Sequence, residues 1–169
     1  RILLATKLAD GMKKAWDKTE KVSISSGNFE WKSLDFKLPV SGFLIDSQLK
    51  AILSNPSATD TQKKVAAAHL AWVRRSDQGQ NNATLSRLRI AGVDLLFLPG
   101  EAVVEYQLEA QQMKPDSFVC MVAYGDYGPG YICREIHYSQ GGYEASPGAS
   151  RVSPEVEKVL VPIIKSILR

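Results

Sequence analysis

The sequence predicts an α/β fold, a mixed β-sheet with flanking helices, and three observations predict it. Leu88 and Ile90 alternate with Arg87 and Arg89, and Ala91-Gly92 turns the chain straight into Val93-Asp-Leu-Leu-Phe-Leu98. Two strands joined so tightly make an antiparallel hairpin, and the second is apolar enough to lie deep in a sheet. Glu101 to Met113 carries Val103, Tyr106, Ala110 and Met113 at helical spacing. Phe118 to Ala123 is another buried strand, and strand, helix and strand in succession make the sheet mixed.

The remaining elements follow in order. Ile2 to about Lys18 reads as an amphipathic helix, with Leu4, Leu8, Met12 and Ala15/Trp16 on one face. Ser25-Ser26-Gly27-Asn28 is a turn. Leu34, Phe36 and Leu38 alternate with Ser33, Asp35 and Lys37, a half-buried strand stopped by Pro39. Asp46 to Ser54 is a short helix closed by Asn55-Pro56. Asp60 to Arg75 is a longer one with Thr59 or Asp60 as N-cap and Val65, Ala68, His69, Trp72 and Val73 on one side. His69 therefore faces the apolar stripe and reads as a core histidine rather than a ligand. Gln78 to Asn82 is a polar surface loop.

Tyr124 to Ser150 reads as a long loop rich in Gly and Tyr; loops of that length in a compact domain are functional or disordered, and its aromatics argue against disorder. Ser153-Pro154-Glu155 then starts the last helix, whose buried face is Val156, Leu160, Ile163, Ile164 and Ile167.

Composition narrows the function. A chain of 169 residues can bury one good core and suggests a single domain. Its 44% apolar and 23% charged residues are those of an ordinary globular protein. The net charge of +3 is spread over pairs such as Lys13-Lys14 and Arg74-Arg75, which argues against a nucleic-acid or polybasic membrane surface. No apolar segment reaches the ~18 residues needed for a transmembrane span. Cys120 and Cys133 have neither CxxC nor metal spacing and read as reduced structural thiols. The chain opens Arg1-Ile2-Leu3-Leu4 with no initiator Met and no signal pattern, so the start of the gene product is expected upstream.

Two sets of residues could carry chemistry. Glu101 follows a buried strand through Pro99-Gly100 and opens a helix, where the dipole favours a carboxylate. It is either a helix-start glutamate or a metal-ligating or basic carboxylate at a strand's C-terminal edge, the usual place for a site in an open α/β sheet. Tyr124, Tyr127, Tyr131, Tyr138 and Tyr143 are core or loop aromatics by default. A Gly-Pro-Gly-Tyr run nevertheless lets backbone approach a phenol, whose oxygen can bind a metal or donate to an oxyanion.

The succession 88–101 (Leu-Arg-Ile-Ala-Gly-Val-Asp-Leu-Leu-Phe-Leu-Pro-Gly-Glu), a helix, a strand, Gly-Pro-Gly-Tyr-Ile (128–132) and Gly-Gly-Tyr-Glu (141–144) resembles the C-terminal part of the catalytic domain of neutral/alkaline (non-lysosomal) ceramidase-like hydrolases, in particular bacterial members of unassigned substrate. Lys7 to Trp16 is similar to the helix that precedes this region. The resemblance covers essentially the whole chain, strongly from Leu88 to Ser146 and weakly from Ser41 to Gln80.

The resemblance implies a zinc amidase that cleaves an N-acyl, ceramide-like bond, with the metal held by two His, one Glu and one Tyr. Glu101 matches the Glu ligand and Tyr131 the Tyr ligand; Tyr143, twelve residues on, matches the phenol that stabilises the oxyanion. The family's motif for the two His and its Gly-Asp-x-Ser-Pro-Asn segment have no counterpart here, and neither His69 nor His137 stands in a ligand context. The implied chain is thus an incomplete C-terminal portion of a larger catalytic domain, whose partner is the N-terminal part of the same polypeptide and whose substrate is a lipid-like or other N-acyl molecule. A secreted or periplasmic setting is suggested by the resemblance alone. The alternative is a non-catalytic module that keeps the fold and uses the Tyr/Gly loop to hold a carbohydrate or lipid; a third reading has the tyrosines only packing. Half a sheet would also expose an apolar edge and face.

Overall fold

A computed structural model describes residues 2–80, 82–125 and 128–169. Asn81 of the polar loop, and Asp126 and Tyr127 of the Gly/Tyr run, lie outside the described residues. In chain order the elements are α1 (Ile2–Asp17), β1 (Phe29–Lys37), α2 (Asp46–Ser54), α3 (Asp60–Asp77), β2 (Asn82–Ile90), β3 (Val93–Phe97), β4 (Glu101–Ala102), α4 (Val104–Met113), β5 (Phe118–Val122), β6 (Tyr131–Ile132), α5 (Glu135–Gln140) and α6 (Val156–Ile167).

The fold is mixed α/β, as expected. β2 and β3 form the hairpin across Ala91-Gly92, with Ile90 opposite Val93. β1 runs antiparallel along β2, and β5 lies parallel to β3 after the α4 crossover, giving the order β1-β2-β3-β5. A second sheet of two residues per strand pairs β4 with β6 in parallel. α4 and α6 pack on the same face of the large sheet. There Phe36, Leu85, Leu96 and Val119 meet Tyr106, Val156, Leu160 and Ile164 in one apolar core.

The opposite face is open. Phe29 and Trp31 of β1, Leu88 of β2, Leu95 and Phe97 of β3, and Phe118 of β5 share it by register. The rings of Trp31 and Phe97 lie 5.7 Å apart there, and Trp31 and Phe118 remain largely exposed. α1 forms where the periodicity predicts but buries no residue, so Leu4, Leu8, Met12 and Trp16 also face solvent. Contiguous apolar surface of this kind marks an interaction site. Among the described residues no helix is long and apolar enough to cross a membrane.

Four expectations are corrected. The helix expected from Glu101 begins at Val104, because Glu101 and Ala102 are drawn into β4: the N–H groups of Glu101 and Val103 donate to Gly130 O and Ile132 O at 2.9 and 3.1 Å. The stretch from Tyr124 to Ser150 is not one loop, since it holds β6 and α5. The buried stripe of α3 is Ala66, His69, Leu70, Trp72 and Val73, with Val65 and Ala68 exposed; Trp72 sets this rotation by donating its indole N–H to Arg151 O at 3.2 Å. The last helix starts at Val156 rather than at Pro154, after a turn in which Val156 N–H donates to Ser153 O, while Val156, Leu160, Ile164 and Ile167 are buried as expected.

Other expectations hold. Thr59 caps α3 by accepting from Gln62 N–H, and the Gln62 side chain returns the bond to complete a capping box. Both cysteines are free.

Candidate functional site

The site begins with two turns that must touch. Leu98-Pro99-Gly100 ends the path of β3, and Gly128-Pro129-Gly130 leads into β6. Gly100 has φ +67°, and a Cβ built on it would lie 2.5 Å from Gly130 O; Gly130 has φ +71°, and its Cβ would lie 2.2 Å from Ala149 O. No side chain fits at either position, so backbone approaches backbone. Around this crossing Tyr131 N–H donates to Ala149 O at 3.0 Å and Arg151 N–H to Pro129 O at 2.9 Å. We expect Gly130→Ala to cost roughly 1–3 kcal/mol from the backbone conformation alone, while Gly148→Ala, where a Cβ meets nothing within 4 Å, stays within about 0.5 kcal/mol. Paired denaturant melts check this.

The crossing delivers functional side chains. In the β4/β6 pair Glu101 stands directly opposite Tyr131, and both are half-buried. The Tyr143 ring meets the Tyr131 ring edge-on at 5.9 Å between centroids, with 69% of Tyr143 exposed. The structure thus gathers Glu101, Tyr131 and Tyr143 from three separate segments.

A fourth residue, Tyr124, is one of the five tyrosines of the Gly/Tyr run but matches no residue of the family pattern. Tyr124 sits at the exit of β5, and its backbone N–H donates to Gly100 O at 2.6 Å, one residue before Glu101. Hydrogen bonding to the Glu101 carboxylate, then desolvation, raises the pKa of both Tyr124 and Tyr131 above the ordinary tyrosine value.

A cavity of about 410 Å³ opens beside this cluster, lined by Glu101, Tyr131, Cys133, His137, Glu144 and their neighbours. His137 is held by its own helix start: its Nδ1 accepts from Arg134 N–H at 3.2 Å, and its Nε2 lies 3.4 Å from Glu105 Oε1. Burial, with Glu144 and Glu105 nearby, pushes the Cys133 thiol up to about 11, so it is not a nucleophile at neutral pH. His69 is buried on α3, where desolvation and then Arg151 lower its pKa; it is a core residue, as expected.

Oxygen donors suit zinc, and Glu101 and Tyr131 can offer two. Among the described residues, however, no group of three or more His, Cys, Asp or Glu could hold a metal ion. These two oxygens fall short of the three protein ligands that a catalytic zinc site takes.

No protein-family model matches the chain, and no curated protein matches it. Solved structures similar to it include a neutral ceramidase from Pseudomonas aeruginosa, at 16% identity and TM-score 0.48 over 82% of this chain and 28% of that one. Another is a ceramidase complexed with C2, at 17% identity and TM-score 0.46 over 52% of this chain and 14% of that one. The chain thus spans less than a third of the length of either.

Proposed function

We propose that this chain is one portion of a zinc-dependent amidase that hydrolyses a ceramide-like N-acyl bond, and that it contributes two metal ligands and one oxyanion donor. The observation that carries the reading is the β4/β6 pairing, which sets Glu101 opposite Tyr131 with Tyr143 against it. Glu101 supplies a carboxylate fixed to a strand at both backbone neighbours. Tyr131 would supply a phenolic oxygen as the second ligand. Zinc, when bound, lowers the pKa of a coordinated water to about 7 and polarises the scissile carbonyl. Tyr143 keeps its proton and donates to the oxyanion that develops on that carbonyl.

The remaining ligands come from outside this chain in this reading. The open sheet face and the unpacked α1 support it, because an apolar surface that size calls for a covering partner. The N-terminal part of the same polypeptide is that partner. Elemental analysis tests the proposal. We expect about one zinc per complete polypeptide, none in residues 1–169 alone, and loss of the zinc in Glu101→Gln and Tyr131→Phe. Unchanged zinc and unchanged amide hydrolysis in both variants would sink it.

A second reading, a non-catalytic module for lipid or carbohydrate, draws on one observation. Phe43 is largely exposed and lines a groove of about 1000 Å³ with Gly141, Gly142 and Pro147, next to the Tyr143 loop. A complete polypeptide that binds such a ligand and never binds zinc would favour it.

A further inference from the structure

We infer that the apolar stripe of α1 docks on the open face of its own sheet, over β3 and β5. The inference does not depend on the zinc reading. It gives the β3–β5 half of the face to α1 and leaves the β1–β2 half to the partner proposed above.

Two unpartnered surfaces of one chain match each other. At 100° per residue α1 places Leu4, Leu8, Met12 and Ala15 on one side and Asp10 and Asp17 on the other, and it buries none of its residues. On the sheet, the positions of β3 and β5 that face away from α4 and α6 are Val93, Leu95, Phe97, Phe118, Cys120 and Val122. All six are apolar, whereas the same face of β1 and β2 turns polar at the Ser33–Ser86 pair. Leu8 at the middle of the helix stripe and Phe118 on the sheet are both 66% exposed, so neither surface has found its cover within the fold.

Size selects the occupant. A helix of 16 residues is about 24 Å long and about 10 Å wide, which spans two strands spaced about 4.8 Å apart. Its footprint removes on the order of 500 Å² of total surface, well under the roughly 1,200 Å² that holds two separate molecules together. A reciprocal exchange between two copies, with twice that area, also falls short. A tethered helix needs less, because a short linker keeps it at millimolar effective concentration. Lys18 to Ser25 carries neither helix nor strand and spans up to about 27 Å when extended. Across the sheet β5 lies three strands from β1, about 14 Å, so the tether reaches.

Cys120 supplies the test, because it stands opposite Leu95 in the middle of the β3–β5 half. The background is the complete polypeptide with every cysteine but Cys120 replaced. Under mild oxidation Leu8→Cys should form a disulfide with Cys120 within one chain, seen on non-reducing gels as a monomer of altered mobility. Asp10→Cys, on the far face of α1, should not. A second measurement needs no new thiol. Maleimide labelling of Cys120 should be about 10-fold or more faster in Leu8→Asp than in the background protein, the rise in open population that losing one buried leucine brings, and unchanged in Asp10→Asn. A Leu8→Cys disulfide that joins two chains would give the face to a second copy and overturn the inference. Cross-linking that is absent, or equal from Leu8→Cys and Asp10→Cys, would overturn it too. So would Cys120 labelling that is indifferent to Leu8→Asp, the result expected if another part of the polypeptide covers β3 and β5.

Discussion

Asp94→Asn is expected to destabilise the fold by about 3–5 kcal/mol, the loss that follows when one partner of a buried ion pair is removed. Asp94 is 0% exposed and Arg87 1% exposed on the inner face of the sheet. Arg87 Nε donates to Asp94 Oδ1 at 2.6 Å, and Arg87 Nη1 donates to Ile167 O at 3.1 Å, near the C-terminal end of α6. Lys114 Nζ and Ser117 Oγ complete the carboxylate, donating to Oδ2 at 2.8 and 2.6 Å. Arg87 Nη2 is already buried without a hydrogen-bond partner among the described residues, and the other carboxylate near the guanidinium, Glu30, is 3.7 Å from Nη1 on a solvent-exposed side chain, so the charge is poorly compensated when Asp94 is lost. A pairwise replacement by apolar residues, Arg87→Met with Asp94→Leu, should recover most of the loss, because it removes both desolvated charges. Urea midpoints at neutral pH for the wild type, the single variant and the double variant check this; a single variant within 1 kcal/mol of wild type would refute it.

The same network fixes an acid limit. Burial alone would raise the Asp94 pKa, but the hydrogen bonds from Lys114, Ser117 and Arg87 outweigh it and bring the carboxyl down to about 2. A carboxyl depressed in the folded state stabilises fully above its unfolded value, near 3.9, and that contribution fades as pH falls through the folded value. The wild-type midpoint should therefore drop between about pH 4 and pH 2, and the apolar double variant should show a shallower drop in that window.

These residues also show where sequence reading stops. Period-two alternation makes the hairpin legible, because only a strand puts every second residue on one face. The same logic sends Arg87 and Arg89 to solvent, and it fails at Arg87 because the charge is neutralised by a residue in a run that itself reads as apolar. Leu88 then falls on the open face, a side that becomes visible only once α4 and α6 are seen to pack on the other.

At the candidate site, composition marks the Gly/Tyr run as unusual, and family resemblance selects Tyr131 and Tyr143 from it and Glu101 from the strand end before it. The β4/β6 pairing is not legible: two-residue strands have no periodicity, and helical spacing from Val103 onward extends the helix over Glu101 by default. The left-handed backbone at Tyr124 is silent for a similar reason. A positive φ leaves no mark in sequence when the residue is not glycine.

If the proposed amidase reading holds, Tyr143→Phe lowers kcat for amide hydrolysis by the complete polypeptide about 100- to 1,000-fold, the usual effect of deleting one oxyanion donor. The structure supplies the reasons to separate this variant from Tyr131→Phe. Tyr143 touches Tyr131 by ring edge rather than by pairing with Glu101 across a strand, so its hydroxyl can be removed without disturbing the proposed ligands. Zinc content should stay at the wild-type level and KM should change little, because the interaction is made with charge that develops after binding. Tyr131→Phe should instead lose zinc and activity together. The exposure of Tyr143, 69% in this chain, adds a second requirement: a hydrogen bond to an oxyanion is strong only where water is excluded. A covering partner on this side should then change kcat for the wild type far more than for Tyr143→Phe. Steady-state kinetics of both proteins, with elemental analysis of the same samples, decides the matter. Equal kcat in wild type and Tyr143→Phe, with zinc bound in both, would leave Tyr143 as a packing residue.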